Sequence, residues 1–187
     1  SLIMFKILII FFILGFYNSA FSSLKEKVIN QIQITNNLSF NFIQTIENKE
    51  ENGKCIIKYP KKIYCEYNNS NKKIMVSNGK SLVIKNKNSK NHYIYPLKKT
   101  PLEFLLDKKY LISKMSNSQP IQIDNKYLKF KIIENHNEIN LFFNIENLNL
   151  IGWQTEDIYQ NLTIMFLSSV EINKDINDSI FILPIGN

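Results

Sequence analysis

The sequence predicts a mainly β, antiparallel protein with one helix ahead of the strands and a short helical interruption midway. Three observations carry this. The apolar spacing switches from a helical to a two-residue period after Asn36-Asn37. From there, turn signals recur about every ten residues, the rhythm of a sandwich or barrel. The composition, 44% hydrophobic with only five Gly and five Pro among 187 residues, excludes disordered, collagen-like and linker-dominated chains.

The first segment reads as a leader. Met4 and Lys6 precede an uninterrupted apolar run, Ile7 to Tyr17, of eleven residues, whereas a membrane-spanning helix takes roughly 20. Asn18-Ser19-Ala20-Phe21-Ser22 behind it is small and polar, as a signal peptidase requires, with cleavage after Ser22 or, as the near alternative, after Ala20. The run has no amphipathic period and no cap, so a core helix fits it poorly. The first cysteine is Cys55, so no lipid-modified N-terminal Cys results. The expected organisation is a cleaved signal peptide over 4–22 and one exported, soluble domain over 23–187.

Leu24 to Thr35 places Leu24, Val28, Ile29 and Ile32 on one helical stripe, and Ser23 with Glu26 forms a capping box. Strands follow at 39–46, 54–59, 63–68, 72–77, 81–86 and 91–96. Turns are expected at Glu51-Asn52-Gly53, Pro60-Lys61-Lys62, Asn69-Ser70-Asn71, Asn78-Gly79 and Lys87 to Lys90. Asn78-Gly79 between alternating strands is the strongest local hairpin signal. Thr100 to Leu106 interrupts the meander with a cap, Pro at the first helical position, an early acid and an apolar face, which predicts a short helix that Lys109 to Ser113 extends. Strands resume at 121–123, 127–134, 138–145, 148–156, 161–171 and 180–183.

Little in the chain points to catalysis. All 23 basic residues are Lys, and without the bidentate guanidinium fork the net charge of +7 is a poor nucleic-acid signature. His92 and His136 have no Cys, His, Asp or Glu neighbour at metal-ligand spacing. Gly79-Lys80-Ser81 echoes a phosphate loop, but Ile74 stands where its first Gly belongs. The acids are scattered through turns, so a secreted hydrolase with paired carboxylates is a weak second reading. No cofactor and no metal is expected; the chain reads as a binder. Cys55 and Cys65 share a face with Ile57, Tyr59, Ile63 and Tyr67 around a Pro-Lys turn. In an oxidising space they are either a cross-strand disulfide, if directly opposed, or two small apolar strand residues.

Several strands are apolar on both faces. In 161–171, Leu162, Ile164, Phe166 and Val170 point one way and Met165 and Leu167 the other; Leu82 and Ile84 oppose Val83. An antiparallel sheet needs only one apolar face. The second meets a helix, another layer or a ligand, so the interior is either a filled core or a lined hydrophobic cavity.

A run of motifs resembles the periplasmic outer-membrane lipoprotein carriers (LolA). These are Phe42-Ile43-Gln44; Gly53 followed by Tyr59-Pro60-Lys61-Lys62-Ile63; Tyr67; Met75 to Leu82; Tyr95 and Leu97; and Thr100 to Leu106, in order over about residues 24–183. The resemblance implies an unclosed β-barrel of about eleven strands, with helices lying as a lid across an apolar cavity. It implies that acylated lipoproteins are taken from an ATP-driven (ABC-type) inner-membrane releasing complex, shielded across the periplasm and yielded to an outer-membrane acceptor, by a monomer that does not span the membrane. Burying one chain of roughly sixteen carbons at about 0.8 kcal/mol per CH₂ gains roughly 12 kcal/mol gross, so cover must be partial for release to occur. Strand parity then gives Phe40, Phe42, Ile57, Ile63, Leu82, Ile84, Leu105 and Phe143 as expected lining and lid residues. Tyr59 occupies the position where many members carry an Arg that hydrogen-bonds lid backbone; a phenol makes a weaker latch. A same-fold lipid- or peptide-sensing regulatory protein is the alternative reading.

Overall fold

The computed structural model describes residues 24–69, 71–156 and 161–185. The expected leader 4–22 and the Ser23 cap lie outside the described residues. Helix α1 covers 24–34. Strands β1 (Asn37–Ile46), β2 (Lys49–Lys58), β3 (Lys62–Tyr67), β4 (Lys73–Asn78), β5 (Ser81–Asn86) and β6 (His92–Pro96) follow. A 3-10 turn, Leu97–Lys99, leads into α2 (Leu102–Leu105) and α3 (Lys108–Ser116). The chain returns to strands in β7 (Ile121–Ile123), β8 (Tyr127–Glu134), β9 (Asn137–Asn144), β10 (Leu150–Glu156) and β11 (Leu162–Ile172), and a 3-10 turn at Asp178–Phe181 comes last.

The eleven strands form one antiparallel sheet, ordered β6-β5-β4-β3-β2-β1-β11-β10-β9-β8-β7. Two meanders, β2 to β6 and β7 to β11, meet at β1, which pairs with both β2 and β11. The outer strands β6 and β7 do not pair with each other, so the barrel is unclosed, as the resemblance implies. The crossover from β6 to β7 runs through α2 and α3. Its Leu97, Leu105, Leu106, Leu111 and Met115 are buried in the same core as the strand residues, which makes this segment a lid over the concave face.

The alternation that predicted the strands sets their facing. Leu38, Phe40 and Phe42 on β1, Ile57 on β2, Ile63 on β3, and Leu141 and Phe143 on β9 are all buried in one core. On the opposite face of β3 and β4 lies the last 3-10 turn, in contact with both strands. There Asp178 pairs with Lys58 and Lys62, and Phe181 is buried. A strand expected over 180–183 is therefore corrected: the chain has no free sheet edge to join at this point and coils over the outer surface instead.

Three further expectations change. Glu51-Asn52-Gly53 is not a turn but the middle of β2; the reversal lies earlier, around Glu47, whose φ is 54°. Gly53 is required for closeness, since a Cβ there would run into the Glu66 carbonyl oxygen on β3. The second lid helix is separate from the first, because Asp107 takes up its own cap and accepts a hydrogen bond from the Tyr110 amide at 3.0 Å. On β11 the strict parity fails at Ser169 (φ 52°), where an extra residue bulges against β1 between Ser39 and Asn41. The bulge turns Val170 and Ile172 inward, while Leu162 and Phe166 stay exposed on the outside. Those two side chains therefore lie outside the interior.

Candidate functional site: the cavity beneath the lid

Between lid and sheet is an apolar cavity of about 50 Å³. Ile32 of α1, Leu105 and Leu106 around the end of α2, and Leu111 of α3 form its roof; Leu38, Leu141, Phe143 and Trp153 are among its floor residues. A second cavity of about 280 Å³ opens on the far side of α2. Its base is apolar, with Ile63, Met75, Ile84 and Met165, and its rim carries Gln44, Glu51, Lys73, Thr155 and Thr163. Leu102, Leu105 and Trp153 line both spaces, so two lid side chains and one indole form the partition. Ligand pockets commonly enclose roughly 300–1,000 Å³. The inner space alone is far too small for an acyl chain.

Polar contacts hold the lid in that position. At the β2–β3 turn, the Lys61 amide donates to the Leu106 carbonyl at 2.8 Å, one of the end carbonyls that a short helix leaves unsatisfied. The Lys61 ammonium reaches Glu103 in the first turn of α2 at 2.5 Å and Asp107 just beyond it at 3.6 Å, so backbone and side chain together clasp α2 from both ends. The hydrogen bond to Glu103, aided by the charges of Glu103 and Asp107, outweighs partial desolvation and holds the ammonium above its ordinary pKa. Helices α1 and α3 cap one another: Lys108 Nζ donates to the Gln33 and Thr35 carbonyls, and Lys25 Nζ to the Ser116 carbonyl. Each lysine meets the negative end of the other helix. Finally, Glu134 on β8 accepts from the Tyr110 hydroxyl (2.9 Å) and pairs with Lys114 (2.7 Å), fastening α3 to the sheet.

Comparison with protein families matches residues 33–183 to "Outer membrane lipoprotein carrier protein LolA". The chain belongs to the LolA family. No curated protein sequence matches it. Among solved structures, a conserved protein of Thermus thermophilus superposes with a TM-score of 0.52 at 6% identity, over 85% of this chain and 93% of that one. A LolA superfamily protein from Nitrosomonas europaea gives 0.45 at 10% identity, over 86% and 96%. LprF from Mycobacterium bovis gives 0.49 at 13%, over 90% and 98%. At these identities the likeness is one of fold.

Within this LolA fold the residues expected at the site divide into three sets. Ile57, Tyr59, Leu105 and Phe143 line the inner cavity. Ile63 and Ile84, again with Leu105, line the outer one. Phe40, Phe42 and Leu82 face the same interior but pack as core: Phe40 stands edge-on to Trp153 and Phe42 edge-on to Tyr67, with ring centroids 6.2 and 5.0 Å apart. Sequence reasoning missed Leu148 and Leu150, which flank the β9–β10 turn and carry no alternation, and missed Val170 and Ile172 because of the bulge. Trp153, for which core packing is the default role, lines both cavities.

Tyr59 enters the cavity wall, and its hydroxyl has no hydrogen bond to a described residue; desolvation pushes the phenol above its ordinary pKa and keeps it neutral. The lid contact falls to Lys61, two residues on. Cys55 and Cys65 are directly opposed in the β2–β3 register, with Cα atoms 4.1 Å apart, and are joined as a disulfide. Neither lines a cavity. Among the described residues no group of three His, Cys, Asp or Glu is arranged to hold a metal ion, and no helix is long and apolar enough to cross a membrane.

Proposed function

We propose that this protein is a periplasmic carrier that holds acyl chains of lipoproteins beneath its lid. In this reading it receives them from an ATP-driven inner-membrane releasing complex and yields them to an outer-membrane acceptor, after export behind the cleaved 4–22 leader. The observation that carries the proposal is the two-chambered apolar interior, whose shared walls are Leu102, Leu105 and Trp153. Swinging α2 away on the flanking turns joins the two spaces under one roof, with the polar rim at Gln44, Glu51 and Lys73 left for the ester and amide groups near the cargo's cysteine. The lid's many polar clasps serve release. A ligand is held only as well as its burial exceeds the cost of opening them, so tight burial of a long chain need not mean irreversible binding.

The test is extraction. Protein purified from the periplasm is treated with organic solvent and the extract analysed by mass spectrometry, while a synthetic triacylated lipopeptide is titrated against Trp153 emission. Acylated peptides in the extract and a saturable emission shift support the carrier. A lipid-free extract together with unchanged emission at every lipopeptide concentration overturns it.

A further inference from the structure

The charge of this chain is unevenly distributed. Residues 67–102 contain eight of the 23 lysines and none of the 16 acids. The structure gathers this stretch into one sector: β4, β5 and β6 are the last three strands at one edge of the sheet, and the Leu97–Lys99 turn continues from them. Lys73 and Lys87 are neutralised from outside by Glu51 and Glu66. Lys72, Lys80, Lys85, Lys90, Lys98 and Lys99 have no ion pair among the described residues. Between them runs β6, uncharged and unpaired on its outer side, with Tyr93, Ile94 and Tyr95 exposed by 65%, 50% and 43%.

We infer that this acid-free sector is a docking surface for an anionic lipid bilayer. Lysines on long, flexible stems, with no arginine among them, suit a fluid array of phosphates better than the fixed carboxylate geometry of a protein partner, which favours bidentate guanidinium forks. Tyrosine, with an apolar ring and a polar tip, is the side chain that settles at the boundary between headgroups and water. Lys73, Ile84, Thr100 and Pro101 of the same sector line the outer cavity, so docking brings that cavity close to the lipid surface. The inference stands on charge and exposure and does not require the cavity to take an acyl chain.

Co-sedimentation of the periplasmic protein with vesicles tests it. Phosphatidylcholine vesicles containing about 30% phosphatidylglycerol should bind at least about ten-fold more tightly than pure phosphatidylcholine, and salt near 0.5 M should abolish the difference. The triple variant Lys90→Glu, Lys98→Glu, Lys99→Glu should lose the preference. A control of equal net charge, Lys27→Glu, Lys109→Glu, Lys126→Glu, reverses exposed lysines elsewhere and should retain it. Equal binding to both vesicle types overturns the inference, because the lysines then only protect a sheet edge from pairing. Equal losses in the two triple variants also overturn it, since net charge and not the sector would be responsible.

Discussion

Lys61 and Tyr59 illustrate how a function can shift by two positions along a turn. The resemblance to LolA implies an arginine at 59 that reaches lid backbone. Here the phenol stays in the cavity wall, and Lys61, at φ 63°, offers its amide to the C-cap of α2 and its ammonium to Glu103 in the first turn. The pair is partly exposed, so Lys61→Ala should cost no more than about 1 kcal/mol of stability. It should still raise the uptake rate of a fluorescent fatty acid several-fold by stopped flow; an unchanged rate would remove the clasp. Tyr59→Arg restores a second latch and should slow transfer of cargo to an acceptor, with wild-type kinetics as the contrary result. Because the Lys61 pKa is raised, its contribution is complete below the ordinary lysine range and is lost only as pH climbs through the raised value. The clasp is therefore constant across neutral pH.

The lid helices are too short to persist alone. Four residues of α2 and nine of α3 are well below the length at which an isolated helix is stable in water. They exist because Leu105, Leu106, Leu111 and Met115 are buried and because other elements satisfy their ends. For α3 the fastening to β8 is Glu134, held below its usual pKa by the hydrogen bond from Lys114 first and that from Tyr110 second. A lowered carboxylate stabilises the fold above its unfolded pKa of 4.5 and loses that contribution as pH falls through the folded value. Glu134→Gln should accordingly increase amide exchange in 108–116 at pH 7. The gap between variant and wild type should close only as pH falls through that lowered folded value, where the wild-type carboxyl becomes neutral as well. A gap that persists in acid would show that packing alone fixes α3.

At the scale of the molecule, an eleven-stranded sheet that never closes depends on what spans its opening and on how firmly its hairpins hold. The Cys55–Cys65 bridge ties β2 to β3 directly below the turn that carries Lys61. Closing so short a loop contributes about 2–3 kcal/mol. The double variant Cys55→Ala, Cys65→Ala should lower the urea midpoint accordingly and still bind lipopeptide, since neither sulfur reaches a cavity. Loss of binding in a variant that remains folded would mean that the bridge sets the position of the clasp. At about 50 Å³ the inner chamber holds no acyl chain as it stands, so the proposed carrier role requires the lid to move.

Most of the strands, the helix at 24–34, the hairpin at Asn78-Gly79 and the family were legible in the chain, because periodicity and turn chemistry are local. Alternation places Phe40, Phe42 and Phe143 on the inner face without any knowledge of partners. It could not say that all three pack edge-on against rings from other strands while only Phe143 also borders the inner cavity, since that depends on which side chains arrive from elsewhere. Nor could it foresee the bulge at Ser169, the use of Gly53 for close strand contact, or the gathering of lysines around β6, each fixed by residues far away in sequence. Whether the two cysteines oppose one another was likewise a matter of register, decided when β2 paired with β3. The chain alone specified which faces are apolar; only three-dimensional packing decided how much of that apolar interior is filled, because free volume is a property of neighbours and not of any one segment.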